Sequence, residues 1–302
     1  MDHSTVVGID VGGTHISAAL INIETSTLVA GSYLRKEIDT QSTVTEIITN
    51  WCEVIQQTRR FNGAHASKIG IAMPGPFDYT KGVSLIKDQN KYDILYNLNV
   101  KELLAEQLSI PTADIRFLND AACFLLGEVF CGAAQGEGRV LGLTLGTGLG
   151  SAWCHHGQVK DADLWNAPFK SGIAEEYLST RWFVGRYQEL TGQRVKGVKE
   201  IADVASKDAV AQRVFDEFGQ NLGQFIETAV HPPTADVLVI GGNISNAYPL
   251  FSGELMRHLR KAALPIQIRV AELGEKSALI GAASSWQESL LEKEEALNGQ
   301  AE

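Results

Sequence analysis

No run in this sequence approaches the roughly 18 consecutive apolar residues of a membrane span. Its opening residues, Met1-Asp2-His3-Ser4, bring no basic segment followed by an apolar stretch, so no secretory signal is expected. Cysteine is scarce. Cys52, Cys123, Cys131 and Cys154 are scattered, with no CxxC pair and no repeated spacing. That argues against a disulfide framework and predicts reduced core thiols in a cytoplasmic protein. Positive charge is short as well: 26 Lys and Arg against 36 Asp and Glu leave a net charge of −10. A general polyanion-binding surface is therefore not expected, because nucleic-acid affinity rests largely on basic patches. A small local phosphate site remains compatible with that charge. Two nucleotide signatures are also missing. There is no GxxxxGK[ST], and no GxGxxG that opens a helix, so P-loop and Rossmann readings are poor.

What is present is a globular chain of 302 residues, 44% hydrophobic and 21% charged, long enough for one large or two medium domains. It opens on Val6-Val7-Gly8-Ile9-Asp10-Val11-Gly12-Gly13-Thr14-His15, then Ile16 to Ile21. An apolar β-branched run, a glycine turn and a second apolar run predict a β-hairpin. Glycine here permits positive φ and leaves no Cβ in the way of a ligand. Successive N–H groups can then converge on an anion, with the Thr14 hydroxyl as a further donor. Asp10, at the strand end, can hold a water on Mg²⁺. An ordinary hairpin turn is the alternative.

Further elements follow in order. Gly31 to Ile38 predicts a strand, and Thr43-Val-Thr-Glu46 a capping box that opens a helix to about Arg60. Lys68 to Met73 is a short strand stopped by Pro74-Gly75-Pro76. Asn99 is placed to cap a helix through Leu108. Ile115 to Leu118 is a strand that ends at Asn119-Asp120, and Ala121 to Cys131 is helical. The opening theme then returns: strand Val140 to Leu145, glycine turn Gly146-Thr147-Gly148-Leu149-Gly150, return strand Ser151 to Cys154. This predicts an internal repeat of one hairpin unit. Helices are expected over Glu175 to Leu190, Asp208 to Val230, Tyr248 to Ala263 and Ser277 to about Glu292. Strands are expected over Asp236 to Ile240, before a third glycine turn Gly241-Gly242-Asn243, and over Ile266 to Val270. Gly281, Ala282 and Ala283 leave room for a close approach. The domain change is placed at Leu118 to Asp120, since no linker rich in Pro, Ser or Gly marks one. That gives domains 1–118 and 119–284, with a helix at about 285–302 packing back on the first.

Three glycine turns after apolar strands fit nucleotide phosphates clasped between two hairpins, with the third near the base or ribose. Asn119-Asp120 stands at a strand's carboxyl end, where open α/β sheets bind ligands. The other reading is a helix cap. Glu175, at a helix start, complements a helix dipole or binds a ligand.

The ordered set DVGGT, PGP, NDAA, LTLGTGLGSA and VIGGN, spread from Val6 to about Ala283, resembles the ROK family of sugar kinases and their regulatory relatives. The resemblance implies a two-domain α/β fold of the actin-like (ribonuclease H-like) ATPase type, with an interdomain cleft for ATP and sugar. Asp10, Gly12, Gly13 and Thr14 match the first phosphate and Mg²⁺ motif, Gly146, Thr147 and Gly148 the second, and Gly241 and Gly242 the adenosine motif. Asn119 and Gly75 match sugar-side positions, and Asp120 the catalytic base. The implied reaction is ATP- and Mg²⁺-dependent phosphorylation of a sugar hydroxyl, O6 of a glucose-like hexose, by a cytoplasmic homodimer. The alternatives are a non-catalytic sugar sensor or regulator and an actin-like ATPase with another substrate. The family's repressors carry a DNA-binding domain before the phosphate hairpin, and here that hairpin begins within ten residues of Met1. The chain also departs from the family. In place of a GExGH stretch and a zinc-binding cysteine cluster it has Asp161-Ala-Asp163-Leu-Trp165-Asn166, so no zinc site is expected. Asp163 would stand for the first sugar-binding glutamate, Asn166 for the histidine, and Glu175 matches the second glutamate. His15, where a lysine often follows GGT, is expected to be a surface hairpin residue. Trp165 and Phe169 either line the pocket or belong to the core, and the core is the expectation.

Overall fold

The structure is a computed structural model describing residues 4–229 and 235–287. The chain divides into two compact units: one runs to Cys131 and resumes at Glu275, and the other is Gly132–Gly274.

In the first unit β1 (Thr5–Val11) and β2 (His15–Asn22) pair antiparallel down to Val11↔Ile16, the expected hairpin. β3 (Thr27–Leu28) and β4 (Leu34–Glu37) both pair with β2. α1 (Val44–Arg59) begins on the capping box: Thr43 Oγ1 accepts from the Glu46 N–H, and the Glu46 carboxylate accepts from the Thr43 N–H. Its buried stripe of Ile47, Ile48, Trp51, Val54 and Ile55 shares a core with Val7, Ile9 and Val11. β5 (Ile69–Met73) runs parallel to β1. A small ribbon, β6 (Phe77–Asp78) with β7 (Val83–Ser84), follows it. α2 (Val100–Leu108) is capped by the Asn99 side chain. β8 (Ile115–Asn119) lies parallel to β5 and runs directly into α3 (Asp120–Cys131).

The second unit repeats this plan. β9 (Arg139–Leu145) and β10 (Leu149–His155) form a hairpin, with β11 (Gln158–Asp161) at its edge. A ribbon of β12 (Pro168–Phe169) and β13 (Gly172–Ile173) leads to α4 (Ala174–Tyr177) and α5 (Thr180–Thr191). Then come α6 (Val198–Val204), α7 (Ala209–Ala229), β14 (Val237–Gly241), α8 (Tyr248–Lys261) and β15 (Gln267–Val270). β14 is parallel to β9, and β15 to β14. The connectivity of β1, β2, β5 and β8 thus recurs in β9, β10, β14 and β15, which extends the repeat read from the two hairpins. α7 and α8 bury Phe215, Phe218, Phe225 and Phe251 in one core with Phe183 of α5.

One helix differs from expectation. The stretch from Glu175 to Leu190 is broken at Leu178-Ser179, where Ser179 is extended. Tertiary bonds outweigh local propensity there. The Thr180 N–H donates to the Gly146 carbonyl at 2.8 Å, and the Leu149 N–H donates to the Glu175 carboxylate at 3.1 Å.

The first unit closes with α9 (Ser277–Ser284). Strand alternation turns Gly8 away from the face bearing Val7 and Ile9. A Cβ on Gly8 would lie 2.1 Å from the Leu279 carbonyl oxygen, and one on Gly70 1.9 Å from that of Ala282. α3 and α9 touch just as closely, since a Cβ on Gly281 would lie 1.8 Å from the Cys123 oxygen. The small residues Gly281, Ala282 and Ala283 therefore admit the sheet and α3. This contact ties α3 into the first unit, which runs on to Cys131. The helix expected at about 285–302, and the end of the one expected to reach Glu292, lie outside the described residues beyond 287.

Candidate functional site

The first unit gathers its chemistry where β1, β5 and β8 end. Asp10 is the last but one residue of β1, paired with Ser17 of β2 and Ala72 of β5. Its carboxyl is pushed up to about 7. Burial is the largest cause; the carboxylates of Asp120 and Glu275 add to it, and Arg35 opposes it. Next comes the turn, closed by the Gly12 N–H donating to the His15 carbonyl at 2.9 Å. Gly13 and Gly146 have no atoms near their missing Cβ, and neither they nor Gly12 has positive φ. Gly13 and Gly146 thus leave open space, and none of the three uses the positive φ that glycine permits. Tyr92, fully buried, donates its hydroxyl hydrogen to the Gly12 carbonyl at 2.7 Å and braces the turn from below. Thr14 is exposed, its hydroxyl 3.2 Å from His15 Nδ1.

Asn119 and Asp120 sit where β8 becomes α3. Asn119 Oδ1 accepts from the N–H groups of Ala121 and Ala122 at 2.9 and 3.1 Å, so the capping role is real. Its Nδ2 donates to the Tyr79 hydroxyl at 3.2 Å, and that hydroxyl donates to the Met73 carbonyl. An amide nitrogen carries two hydrogens, so one remains for a ligand. Gly75 lies beside the same Tyr79 hydroxyl, 3.2 Å from where its Cβ would be. Asp120 is exposed at the helix start, its Oδ1 accepting from the Ala121 N–H. Tyr79 and Tyr92 were not singled out in the sequence. Both act through partners about 40 and 80 residues away, which no local pattern signals.

In the second unit, the turn Gly146-Thr147-Gly148 is closed by the Gly146 N–H donating to the Gly148 carbonyl at 3.0 Å. Glu175 packs onto it. Its Oε2 would lie 2.6 Å from a Cβ on Gly148, and its Oε1 accepts from Arg181 at 2.5 Å. Gly242 follows β14 with φ of +80°, and a Cβ there would lie 2.4 Å from the Leu145 oxygen. Gly241 and Gly242 thus abut the end of β9, next to the second turn. Asp163 is exposed, and its Oδ1 accepts from the Trp165 indole N–H at 2.7 Å. Phe169 is buried, as expected, but Trp165 is 44% exposed, because its indole is held outward on Asp163. Asn166 is exposed on the same short turn.

Among the described residues, no three His, Cys, Asp or Glu side chains form a group able to hold a metal by themselves. Asp10 nonetheless suits Mg²⁺, which is bound by one or two carboxylates plus phosphates and waters. It is a carboxyl crowded by two carboxylates, and a divalent cation would relieve that repulsion. Cys52, Cys123 and Cys154 are buried and Cys131 is partly buried, all as free thiols.

Comparison with known proteins bears on this arrangement. The chain is 24% identical to N-acetylgalactosamine kinase AgaK of Shewanella sp. (strain ANA-3), over 91% of this chain and 94% of that one. It is 26% identical to the glucokinase of Thermotoga maritima, over 92% and 96%. Its fold matches that of a ROK family glucokinase from Streptomyces griseus in complex with glucose and AMPPNP, with a TM-score of 0.73 at 22% identity, covering 93% and 98%. No helix among the described residues is long and apolar enough to cross a membrane. The ROK family pattern itself runs through residues 6–162 and 168–289, breaking only around Asp163 and Trp165. With the first hairpin, the Asn119-Asp120 strand end, the second hairpin and α9 all inside that match, the chain belongs to the ROK family.

Proposed function

We propose that the protein is an ATP- and Mg²⁺-dependent sugar kinase acting on O6 of a glucose-like hexose, working in the cytoplasm as a homodimer. The observation that carries this reading is the placement of Asp120 where β8 runs into α3, close enough to Asp10 near the end of β1 for its charge to help push the Asp10 carboxyl up. A base for a hydroxyl and a carboxylate for a phosphate-bound cation thus stand beside an open glycine turn. The sugar-kinase relatives support the same reading.

Phosphoryl transfer needs positioning, charge stabilisation and a base. With the Gly12 and Gly146 N–H groups closing their turns, the N–H groups of Gly13 and Thr14, with the Thr14 hydroxyl, and those of Thr147 and Gly148, suit phosphate oxygens. Gly241 and Gly242 suit the adenosine. On the first unit Asn119, through its remaining Nδ2 hydrogen, orients a sugar hydroxyl, with Gly75 beside it; on the second, Asp163 and Glu175 are the sugar-binding candidates. The attacking hydroxyl forms a bond to the γ-phosphorus and gives its proton to the Asp120 carboxylate. The bond from the γ-phosphorus to the β,γ-bridging oxygen breaks, and ADP leaves. Asp10 would hold Mg²⁺, which would supply charge neutralisation on the phosphates.

A coupled assay of ADP release, screened over hexoses, N-acetylhexosamines and ketoses, tests the reading. Sugar-stimulated ADP release with a glucose-like hexose is the expected result. Preference for an N-acetylhexosamine or a ketose would overturn the substrate, and no stimulation by any sugar would overturn the kinase. In the latter case a sugar-sensing or other ATPase role would take its place.

A further inference from the structure

Beside the first glycine turn, an open cavity of about 430 Å³ is lined by Thr14, His15, Arg35, Glu37, Ile38 and Asp39. Arg35 reaches it from β4, where it pairs opposite Ser17, and Glu37 pairs opposite His15. The four residues share one face of the β2–β4 ladder, since side chains two apart point the same way. The Arg35 guanidinium is held twice. One Nη donates to the Glu275 carboxylate at 2.8 Å, and the other to His15 Nδ1 at 3.5 Å. His15 Nδ1 is in turn 3.2 Å from the Thr14 hydroxyl. Burial and the neighbouring Arg35 hold His15 below its ordinary range, so it is neutral near pH 7 and free to accept at Nδ1.

The charge balance of this corner gives Arg35 its meaning. Asp120 and Glu275 both act on Asp10, and Glu37 and Asp39 stand on the cavity wall. Among the described residues, Arg35 is the cation that acts on Asp10. A nucleotide triphosphate that enters beside Gly12 to Thr14 brings its own negative charge to a rim of carboxylates. A guanidinium has five N–H donors in a fork that matches phosphate oxygens. Two of them are engaged here, both by exposed or half-exposed partners that exchange at little cost.

We propose that Arg35, on the reading of the protein as an ATP-dependent kinase, is a phosphate-binding residue that leaves Glu275 to take the terminal phosphate of ATP, and so distinguishes the triphosphate from the diphosphate product. In the free protein Glu275 parks the guanidinium and His15 aims it at the turn. With ATP bound, the γ-phosphate oxygens replace Glu275 as acceptor. With ADP bound, that acceptor is gone and Arg35 returns to Glu275, which favours product release.

The test is calorimetric binding of AMPPNP and of ADP, each with Mg²⁺, to wild type, Arg35→Met, Arg35→Lys and Glu275→Gln. Arg35→Met is expected to weaken AMPPNP binding about tenfold or more and ADP binding less than twofold. Arg35→Lys should recover part of the loss, since it keeps the charge without the fork. Glu275→Gln should tighten AMPPNP several-fold, because the competing carboxylate charge is removed. Equal weakening of both nucleotides in Arg35→Met would assign Arg35 to structure and overturn the inference, as would no change in either. Wild-type protein that binds neither nucleotide would overturn the kinase reading and this one with it. Wild-type protein that binds both, with Arg35→Met unaltered, would overturn this one alone.

Discussion

Asp10→Asn in the ligand-free protein is the most direct probe of the electrostatics at the first turn. The Asp10 carboxyl is held at about 7, against an ordinary value of 3.8. At about 1.4 kcal/mol per tenfold change, this penalises the ionised form by about 4 kcal/mol relative to the unfolded chain. Solvent at the strand end trims the figure to roughly 2–4 kcal/mol. The sign follows from proton counts. Between pH of about 4 and 7 the unfolded chain has lost this proton while the folded chain keeps it, so stability falls as pH rises through that window. Above about 7 both states have lost it and the penalty is complete. Asn has no proton to lose. The variant should therefore exceed wild type by only about 1 kcal/mol or less near pH 4.5 and by about 2–4 kcal/mol at pH 8, read from urea unfolding without Mg²⁺ or nucleotide. Comparing the two proteins at each pH cancels the titrating groups that do not feel Asp10, and leaves Asp10 with its neighbours Asp120 and Glu275. A second reading uses calorimetry near pH 6.5 in buffers of different ionisation enthalpy: wild type should release a proton when it binds Mg²⁺ and AMPPNP, and the variant should not. A stability gap that stays constant from pH 4.5 to 8 would refute the argument, since it would mean that Asp10 ionises as an ordinary carboxylate.

Three further predictions follow from the geometry. Asp120→Asn should lower kcat by about a hundredfold or more while the KM values for sugar and ATP hold, the scale of a lost general base; near-normal turnover in steady-state kinetics would remove Asp120 from that role. Glu175→Gln should raise the sugar KM several-fold, since hydrogen bonds to a charged group are worth about 1.5–3 kcal/mol, and move the ATP KM much less; equal rises in both would make Glu175 a brace of the Gly146–Gly148 turn instead. Gly281→Ala, whose new methyl would lie 1.8 Å from the Cys123 carbonyl oxygen, should destabilise the protein by about 3 kcal/mol. Gly253→Ala on α8, where nothing stands within 4 Å, should stabilise it by about 0.5–1 kcal/mol; similar denaturation midpoints for the two variants would refute the close packing of α3 on α9.

The parts of this fold that were legible in the sequence are those decided over a few residues. The Thr43–Glu46 capping box, the Asn99 cap and the two hairpins each close within one turn of chain, and each appears where its pattern put it. Gly281 to Ala283 were readable as a place of close approach because small side chains have no other use in the middle of a buried helix, although their partner, α3, was not readable. The misses share the opposite cause. The helix through Glu175 is cut because Thr180 and Glu175 bond to a turn some 30 residues earlier, and helix propensity of a few tenths of a kcal/mol per residue does not outweigh such bonds. Trp165 reads as core by composition and is turned outward by one hydrogen bond to Asp163. At the candidate site the same division holds. The places of Asp10, Gly13, Asn119 and Asp120, at strand ends or in the turn between strands, were readable because the local pattern defines those ends; the roles proposed for them rest on the family resemblance. Their neighbours Tyr79, Tyr92, Arg35 and Glu275 were not, because their meaning lies in contacts across 40 to 240 residues. Arg35 carries the lesson furthest. Alone on a four-residue strand it is an unremarked surface cation, and only its place between Glu275, His15 and the field at Asp10 gives it a chemical role to test.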